Sequence, residues 1–257
     1  MLIDSHCHIF DEKYENKTQK LLNEAQEFEV SKVITIGTSL EDSKELVNKI
    51  VEFENVFGTI GIYPQNDVDI KIETLIKNLE KIYKNSKKIV ALGELGIDLV
   101  ENMQRNKTDQ IELFEAQLAL ASKLNLPVVI HNRNGTDIVY DILKKFQLKG
   151  VLHCFVDDWD TAKKFLDLGY FISFSGIITY KSGETIHETV KNVPSDRYLV
   201  ETDAPYLAPQ GFRNKVNEPK YVKMVAEKVA EIRNSSFSAV CEESSVNTTN
   251  LFGLNKF

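Results

Sequence analysis

The 257-residue sequence has little cysteine and histidine, no long apolar run and no excess of basic residues. Its three cysteines, Cys7, Cys154 and Cys241, are odd in number and far apart. This argues against a disulfide framework and predicts a reducing, cytoplasmic environment. No apolar stretch is long enough to span a bilayer, and no basic segment followed by an apolar one indicates a signal peptide. We therefore expect a protein without membrane partners.

The charge balance narrows the classes of partner. A formal net charge of -7 excludes the overall basic surface of a nucleic-acid packaging protein. A nuclease stays possible, since it requires only a locally basic groove. No low-complexity segment and no Pro/Gly-rich linker interrupts the chain, and 42% of its residues are hydrophobic. We expect one domain over residues 1–257.

Short apolar runs alternate with charged, helix-patterned stretches such as "SLEDSKELVNKIVEFE". Most of the runs are rich in Val and Ile, as buried parallel strands are. There are eight: "LIDSHCHI", "KVITIG", "FGTIGIY", "IVALGELGI", "PVVIHN", "GVLHCF", "YFISFSGII" and "YLVETD". Eight βα units in about 250 residues predict an α/β fold, a single (β/α)8 TIM barrel. A doubly wound open sheet is the alternative, but no Gly-rich phosphate fingerprint follows the first run.

Potential metal ligands fall at the ends of these predicted strands, and the C-terminal strand ends are where the active sites of such barrels lie. They are His6, His8, Glu94, His131, His153 and Asp203. His6 and His8 point to the same face because they are two residues apart on one strand. The fifth histidine, His187, lies in a charged helical pattern and is expected at the surface.

Two acidic residues share the strand parity of these ligands, one layer deeper. Asp4 lies two residues before His6, and Glu201 two residues before Asp203. Ligating imidazoles commonly donate their other N–H to a carboxylate. Asp4 and Glu201 are therefore predicted to accept hydrogen bonds from them.

The segments "IDSHCH", "ALGELGIDL", "LPVVIHNR", "GVLHCF", "FISFSGIITYK" and "LVETDAPYLAP", in this order, resemble the TatD family of metal-dependent deoxyribonucleases. That family belongs to the amidohydrolase-like barrels, and the resemblance extends to "NTTNLFGL" near the end. It implies two divalent ions bridged by Glu94, one held by His6, His8 and Asp203 and the other by His131 and His153. Such a donor set suits zinc, manganese, iron or nickel, while the magnesium often described for the family stays possible.

One segment departs from the family pattern. Where the family usually carries "GxHPH", this sequence has "GIYPQND", with Tyr63 and Gln65 in place of the two histidines. Both side chains can form hydrogen bonds, but neither is a good ligand for a divalent metal. We expect no third ion, and we predict that Tyr63 and Gln65 contact the substrate.

The resemblance implies a hydrolase in which a metal-activated water cleaves a phosphodiester of DNA, single-stranded in our expectation, with the protein acting as a monomer. Asp203 is the expected general base. The basic residues expected to contact substrate phosphate are Arg133, Lys181 and Arg213. A hydrolase of the same superfamily acting on an amide, a lactone or an aminoacyl-tRNA ester is the first alternative. A non-catalytic binding protein is the second.

Overall fold

The computed structural model describes residues 1–15 and 17–256, along which strands and helices alternate. The strands are β1 (Leu2–Cys7), β2 (Val30–Thr35), β3 (Val56–Ile60), β4 (Ile89–Asp98), β5 (Val128–Arg133), β6 (Gly150–Leu152), β7 (Phe171–Phe174) and β8 (Tyr198–Val200). The helices are α1 (Thr18–Glu27), α2 (Leu40–Lys49), α3 (Ile72–Tyr83), α4 (Lys107–Leu124), α5 (Thr136–Leu143), α6 (Trp159–Asp167), α7 (His187–Asn192), α8 (Val222–Arg233) and α9 (Phe237–Phe252). Each predicted apolar run overlaps one strand.

The strands form one eight-stranded sheet in chain order, from β1 to β8. Neighbouring strands such as β4 and β5, or β7 and β8, pair in parallel. Cys7, at the end of β1, forms a parallel bridge with Ala204, just after β8, so the first strand also borders the last. Parallel strands in this order, joined by helices, confirm the predicted (β/α)8 fold.

The chain contains two compact units. The first comprises Met1–Thr35 and Cys154–Phe257, with β1, β2, β7 and β8. The second, Ile36–His153, carries β3 to β6. The expectation of one domain over residues 1–257 stays a prediction.

Polar side chains set where several helices begin. Ser39 precedes α2, and its hydroxyl oxygen accepts a hydrogen bond from the backbone N–H of Asp42 at 3.2 Å. Asn106 caps α4 in the same way, through the N–H of Asp109 at 3.0 Å. Such caps satisfy N–H groups that have no partner inside the helix. None of the helices formed by the described residues combines the length and apolar character that a membrane span requires.

The longest strand, β4, is buried along all ten of its residues. It approaches β5 closely at Gly96, where φ is +150° and an added Cβ would lie 1.9 Å from the carbonyl oxygen of His131. Only glycine permits this approach. The end of β4 is fastened to α4, because Gln110 accepts from the N–H of Asp98 at 2.8 Å and donates to its carbonyl oxygen at 3.0 Å.

Candidate metal centre

The first compact unit brings together His6 on β1, His8 just after it, and Asp203 after β8; we call these three residues the His6 group. Their ligand atoms all lie within 4.8 Å of one another. Oδ1 of Asp203 is 3.4 Å from Nε2 of His6 and 3.7 Å from Nε2 of His8. The backbone holds this arrangement, since the N–H of Asp203 donates to the carbonyl oxygen of His6 at 2.9 Å.

Asp4 and Glu201 are fully buried, and each accepts at least one hydrogen bond from a backbone N–H. Asp4 accepts from the N–H and the hydroxyl of Thr202, at 2.9 and 2.5 Å, and more weakly from the N–H of His6 at 3.4 Å. Burial raises the pKa of Asp4 to about 8, although the Thr202 hydrogen bonds act in the opposite direction. Glu201 accepts from the N–H of Cys154 at 2.8 Å. Asp4 thus fastens β1 to the residue before Asp203.

The second unit brings together Glu94 on β4, His131 on β5 and His153 after β6; we call these the Glu94 group. Oε1 of Glu94 lies 2.7 Å from Nδ1 of His131 and 2.9 Å from Nε2 of His153. Those two nitrogens are 3.2 Å apart. Burial by itself would raise the pKa of Glu94, but the imidazoles of His153 and His131 hold it well below its ordinary value.

The position of Glu94 differs from the sequence expectation in one respect. It lies inside β4 rather than at its end, because the strand continues for four more residues to Asp98. Sequence reasoning did not single out Asp98, whose side chain is buried with Oδ2 3.3 Å from Nε2 of His131. The alternation of side chains along a strand could have revealed it, because positions 94, 96 and 98 of one strand are expected to share a face.

The two residues of the departing segment are both held by other protein groups. The hydroxyl of Tyr63 donates to Oδ2 of Asp98. The amide of Gln65 donates to the carbonyl oxygen of Asp98 at 2.7 Å, and its oxygen accepts from the N–H groups of Gln104 and Arg105 at 2.7 and 3.0 Å. Gln65 therefore joins the connection after β3 to the connection after β4.

The three basic residues predicted to contact phosphate are all exposed. Arg133 ends β5, two residues after His131. The guanidinium of Arg213 lies 4.4 Å from the centre of the Tyr180 ring, and Lys181 follows that tyrosine in sequence. His187, expected at the surface, is half-buried, with Nε2 2.9 Å from the carbonyl oxygen of Ile178.

Both groups fit a metal ion by their donor chemistry. Each combines two imidazoles with one carboxylate whose oxygen lies within 4 Å of an imidazole nitrogen of both partners. Glu94 and His6 are buried, so these donors are shielded from bulk water. Neutral imidazole and carboxylate are the ligands that zinc and the neighbouring divalent transition metals take.

Comparison with known proteins agrees with this chemistry. A family model described as TatD related DNase matches residues 3–253. The uncharacterized metal-dependent hydrolase YabD of Bacillus subtilis is 34% identical over 99% of this chain and 100% of its own length. YcfH of Escherichia coli, also described as a metal-dependent hydrolase, is 34% identical over 98% of this chain and 95% of its own.

A solved structure carries the same fold. YjjV, a TatD homolog from Escherichia coli K12, superposes with a TM-score of 0.92 at 26% identity, covering 98% of each chain. The match over the whole chain, together with the two imidazole–carboxylate groups, leads to one conclusion. The chain belongs to the TatD family of metal-dependent hydrolases, with the (β/α)8 fold of that family.

Proposed function

We propose that the chain hydrolyses phosphodiester bonds of DNA, preferentially single-stranded, with two divalent ions held by its six ligands. The observation that carries the proposal is the pair of imidazole–carboxylate groups, because it supplies the donors for two ions. In the Glu94 group, the donor atoms of one carboxylate and two imidazoles lie only 2.7 to 3.2 Å apart. Membership of the TatD related DNase family favours a nucleic acid as substrate.

Glu94 is the proposed ligand of both ions, as the family resemblance implies. Its carboxylate has a second oxygen, Oε2, besides the one that faces His131 and His153. Its pKa lies well below the ordinary value, so the group is charged across the neutral pH range and can bind cations with both oxygens. The chemistry that divalent ions would supply there is a lower pKa for a bound water and compensation of negative charge on the reacting oxygens.

Asp203 is the proposed proton acceptor. Its Oδ1 faces His6 and His8, while its side chain keeps 14% of its surface exposed, so a water can reach the carboxylate. Its φ of +57° is uncommon for a residue other than glycine. The hydrogen bond from its N–H to the carbonyl oxygen of His6 holds this conformation. Asp203 would take the proton of the attacking water and return it to the leaving oxygen.

Exposed basic residues would hold the substrate. Arg133, two residues beyond His131, can bind a phosphate through two N–H groups at once. Lys181 and Arg213 would contact neighbouring phosphates from the connections after β7 and β8. With four imidazoles among six donors, we expect zinc, manganese, iron or nickel to bind more tightly than magnesium.

The test is a hydrolysis panel on protein purified without chelator and loaded separately with zinc, manganese and magnesium. Single-stranded DNA, double-stranded DNA, RNA, an aryl phosphodiester, a lactone and an amide serve as substrates. We expect cleavage of single-stranded DNA and of the aryl phosphodiester, with loss of at least ~100-fold in Glu94→Gln. Glu112→Gln, an exposed change on α4, is the matched control. Cleavage of the lactone or amide alone would reject the phosphodiester assignment and leave the metal-dependent hydrolase in place.

A further inference from the structure

We propose that Asp98 and Tyr63 are positioning residues for His131. They hold the distal nitrogen, Nε2, so that Nδ1 faces Glu94 with its lone pair available to a divalent ion. The inference rests on the metal dependence of the family, and it holds whichever bond the enzyme cleaves.

The two nitrogens of His131 face different partners. Nδ1 lies 2.7 Å from Oε1 of Glu94 and 3.2 Å from Nε2 of His153, so it belongs to the cluster of donor atoms. Nε2 lies 3.3 Å from Oδ2 of Asp98. An imidazole that binds a metal through one nitrogen carries its proton on the other, and the acceptor of that proton selects the tautomer. Asp98 is placed to be this acceptor.

Asp98 is itself held in a fixed orientation. Asp98 is 2% exposed. The side chain of Gln110 on α4 accepts from its backbone N–H and donates to its carbonyl oxygen. The hydroxyl of Tyr63 donates to the same oxygen, Oδ2, that faces His131. A carboxylate held by these contacts has little freedom to rotate. It therefore presents one oxygen to the imidazole without the loss of entropy that ordering a mobile side chain would require.

Tyr63 restrains the imidazole directly as well. Its ring stands edge-on to the ring of His131, with centroids 4.8 Å apart and planes at 68°. Its hydroxyl oxygen is 3.4 Å from Nε2 of His131. The backbone N–H of Tyr63 donates to the carbonyl oxygen of Thr38 at 2.8 Å, which anchors the residue. A flip of the imidazole would move its ring nitrogens away from both Asp98 and Glu94.

This arrangement gives Tyr63 a role within the protein. Its hydroxyl donates a hydrogen bond to Asp98, and its ring packs on the proposed ligand His131. Tyrosine at this position would therefore act on the affinity of the Glu94 group for metal rather than on contact with the substrate.

The test measures metal affinity at one group at a time. His8→Ala weakens the His6 group and His153→Ala weakens the Glu94 group, so each background reports mainly on the other. Asp98→Asn and Tyr63→Phe are introduced into both backgrounds, and zinc affinity is measured by competition with a chromophoric chelator. In the His8→Ala background we expect a loss of ~10- to 100-fold for Asp98→Asn. For Tyr63→Phe, which removes one hydrogen bond, we expect a loss of about 2- to 10-fold. In the His153→Ala background we expect no loss. Tyr140→Phe, on α5, is the control for removal of a hydroxyl.

A second readout follows the tautomer of His131 in the otherwise native protein loaded with zinc. Long-range ¹H–¹⁵N spectra distinguish a proton on Nε2 from one on Nδ1. We expect the Nε2–H form in the native protein, and a mixture or exchange broadening in Asp98→Asn. Unchanged affinity in both variants, equal losses in the two backgrounds, or an Nδ1–H tautomer in the native protein would each overturn the proposal. If Asp98→Asn fails to fold, Tyr63→Phe and the native tautomer still decide it.

Discussion

Replacement of Gln65 by alanine tests whether this side chain holds the connection after β3 to the connection after β4. Its side chain makes three hydrogen bonds: one to the carbonyl oxygen of Asp98 at 2.7 Å, and two from the N–H groups of Gln104 and Arg105 at 2.7 and 3.0 Å. All three partners are more than 30 residues away in sequence. The change would therefore free one connection from the other.

The loss of stability depends on which hydrogen bonds the three partners of Gln65 keep after the change. A hydrogen bond contributes about 0.5–1.5 kcal/mol net, and more where its loss leaves a buried partner unsatisfied. The carbonyl oxygen of Asp98 keeps its bond from Gln110 at 3.0 Å. Gln104 is exposed, so water can reach its N–H. We therefore expect a loss of about 2 kcal/mol in the free energy of unfolding, which lowers Tm by about 4–8 °C in a protein of this size.

The assay is thermal unfolding of the metal-free protein, with hydrogen exchange of the Gln104 and Arg105 amides followed in parallel. Gln104→Ala is the matched control, because it removes an exposed glutamine side chain from the same connection while keeping the backbone N–H. The control should change stability by less than about 0.5 kcal/mol. If Gln65→Ala is as stable as the control and both amides keep their protection against hydrogen exchange, Gln65 does not hold the two connections together. Gln65 would then be free to contact substrate.

Two further predictions concern the ligands themselves. Asp203→Asn keeps the size of the side chain but removes the proton acceptor. We therefore expect the rate of hydrolysis to fall by at least ~100-fold, while Tm of the metal-free protein stays within a few degrees. A near-normal rate would reject the general-base role. Burial alone would lower the pKa of His131, but hydrogen bonds to Asp98 and Glu94 raise it above 6.5. Metal binding requires the neutral imidazole, so zinc affinity of the Glu94 group should fall as pH falls through this raised pKa. In the metal-free protein, the stabilisation from charged His131 is complete below pH 6.5 and is lost as pH rises through the folded-state pKa. Zinc titrations and Tm measurements from about pH 6 to about pH 9 check both signs, and flat profiles would contradict them.

The strands could be predicted from the sequence, and the same patterns indicated the six proposed ligands. Buried parallel strands can be recognised in the sequence, because apolar runs of Val and Ile alternate with helical stretches that begin after capping residues such as Ser39 and Asn106. Ionisable residues such as His131 and His153 are conspicuous at the ends of these runs, because burial of a polar group is costly without a partner. The family resemblance then followed from the order of these short segments.

The groups that surround the proposed ligands could not be predicted from the sequence. Tyr63 contacts Asp98 and His131 across 35 and 68 residues, and Asp4 contacts Thr202 across 198. Strand parity gives the face on which a side chain lies, but it does not give the partner on another strand or on a connection between elements. The substitution of tyrosine for a family histidine therefore indicated at the sequence level only what was missing. The folded chain shows that its hydroxyl is used by Asp98, because the connection after β3 brings Tyr63 next to the end of β4.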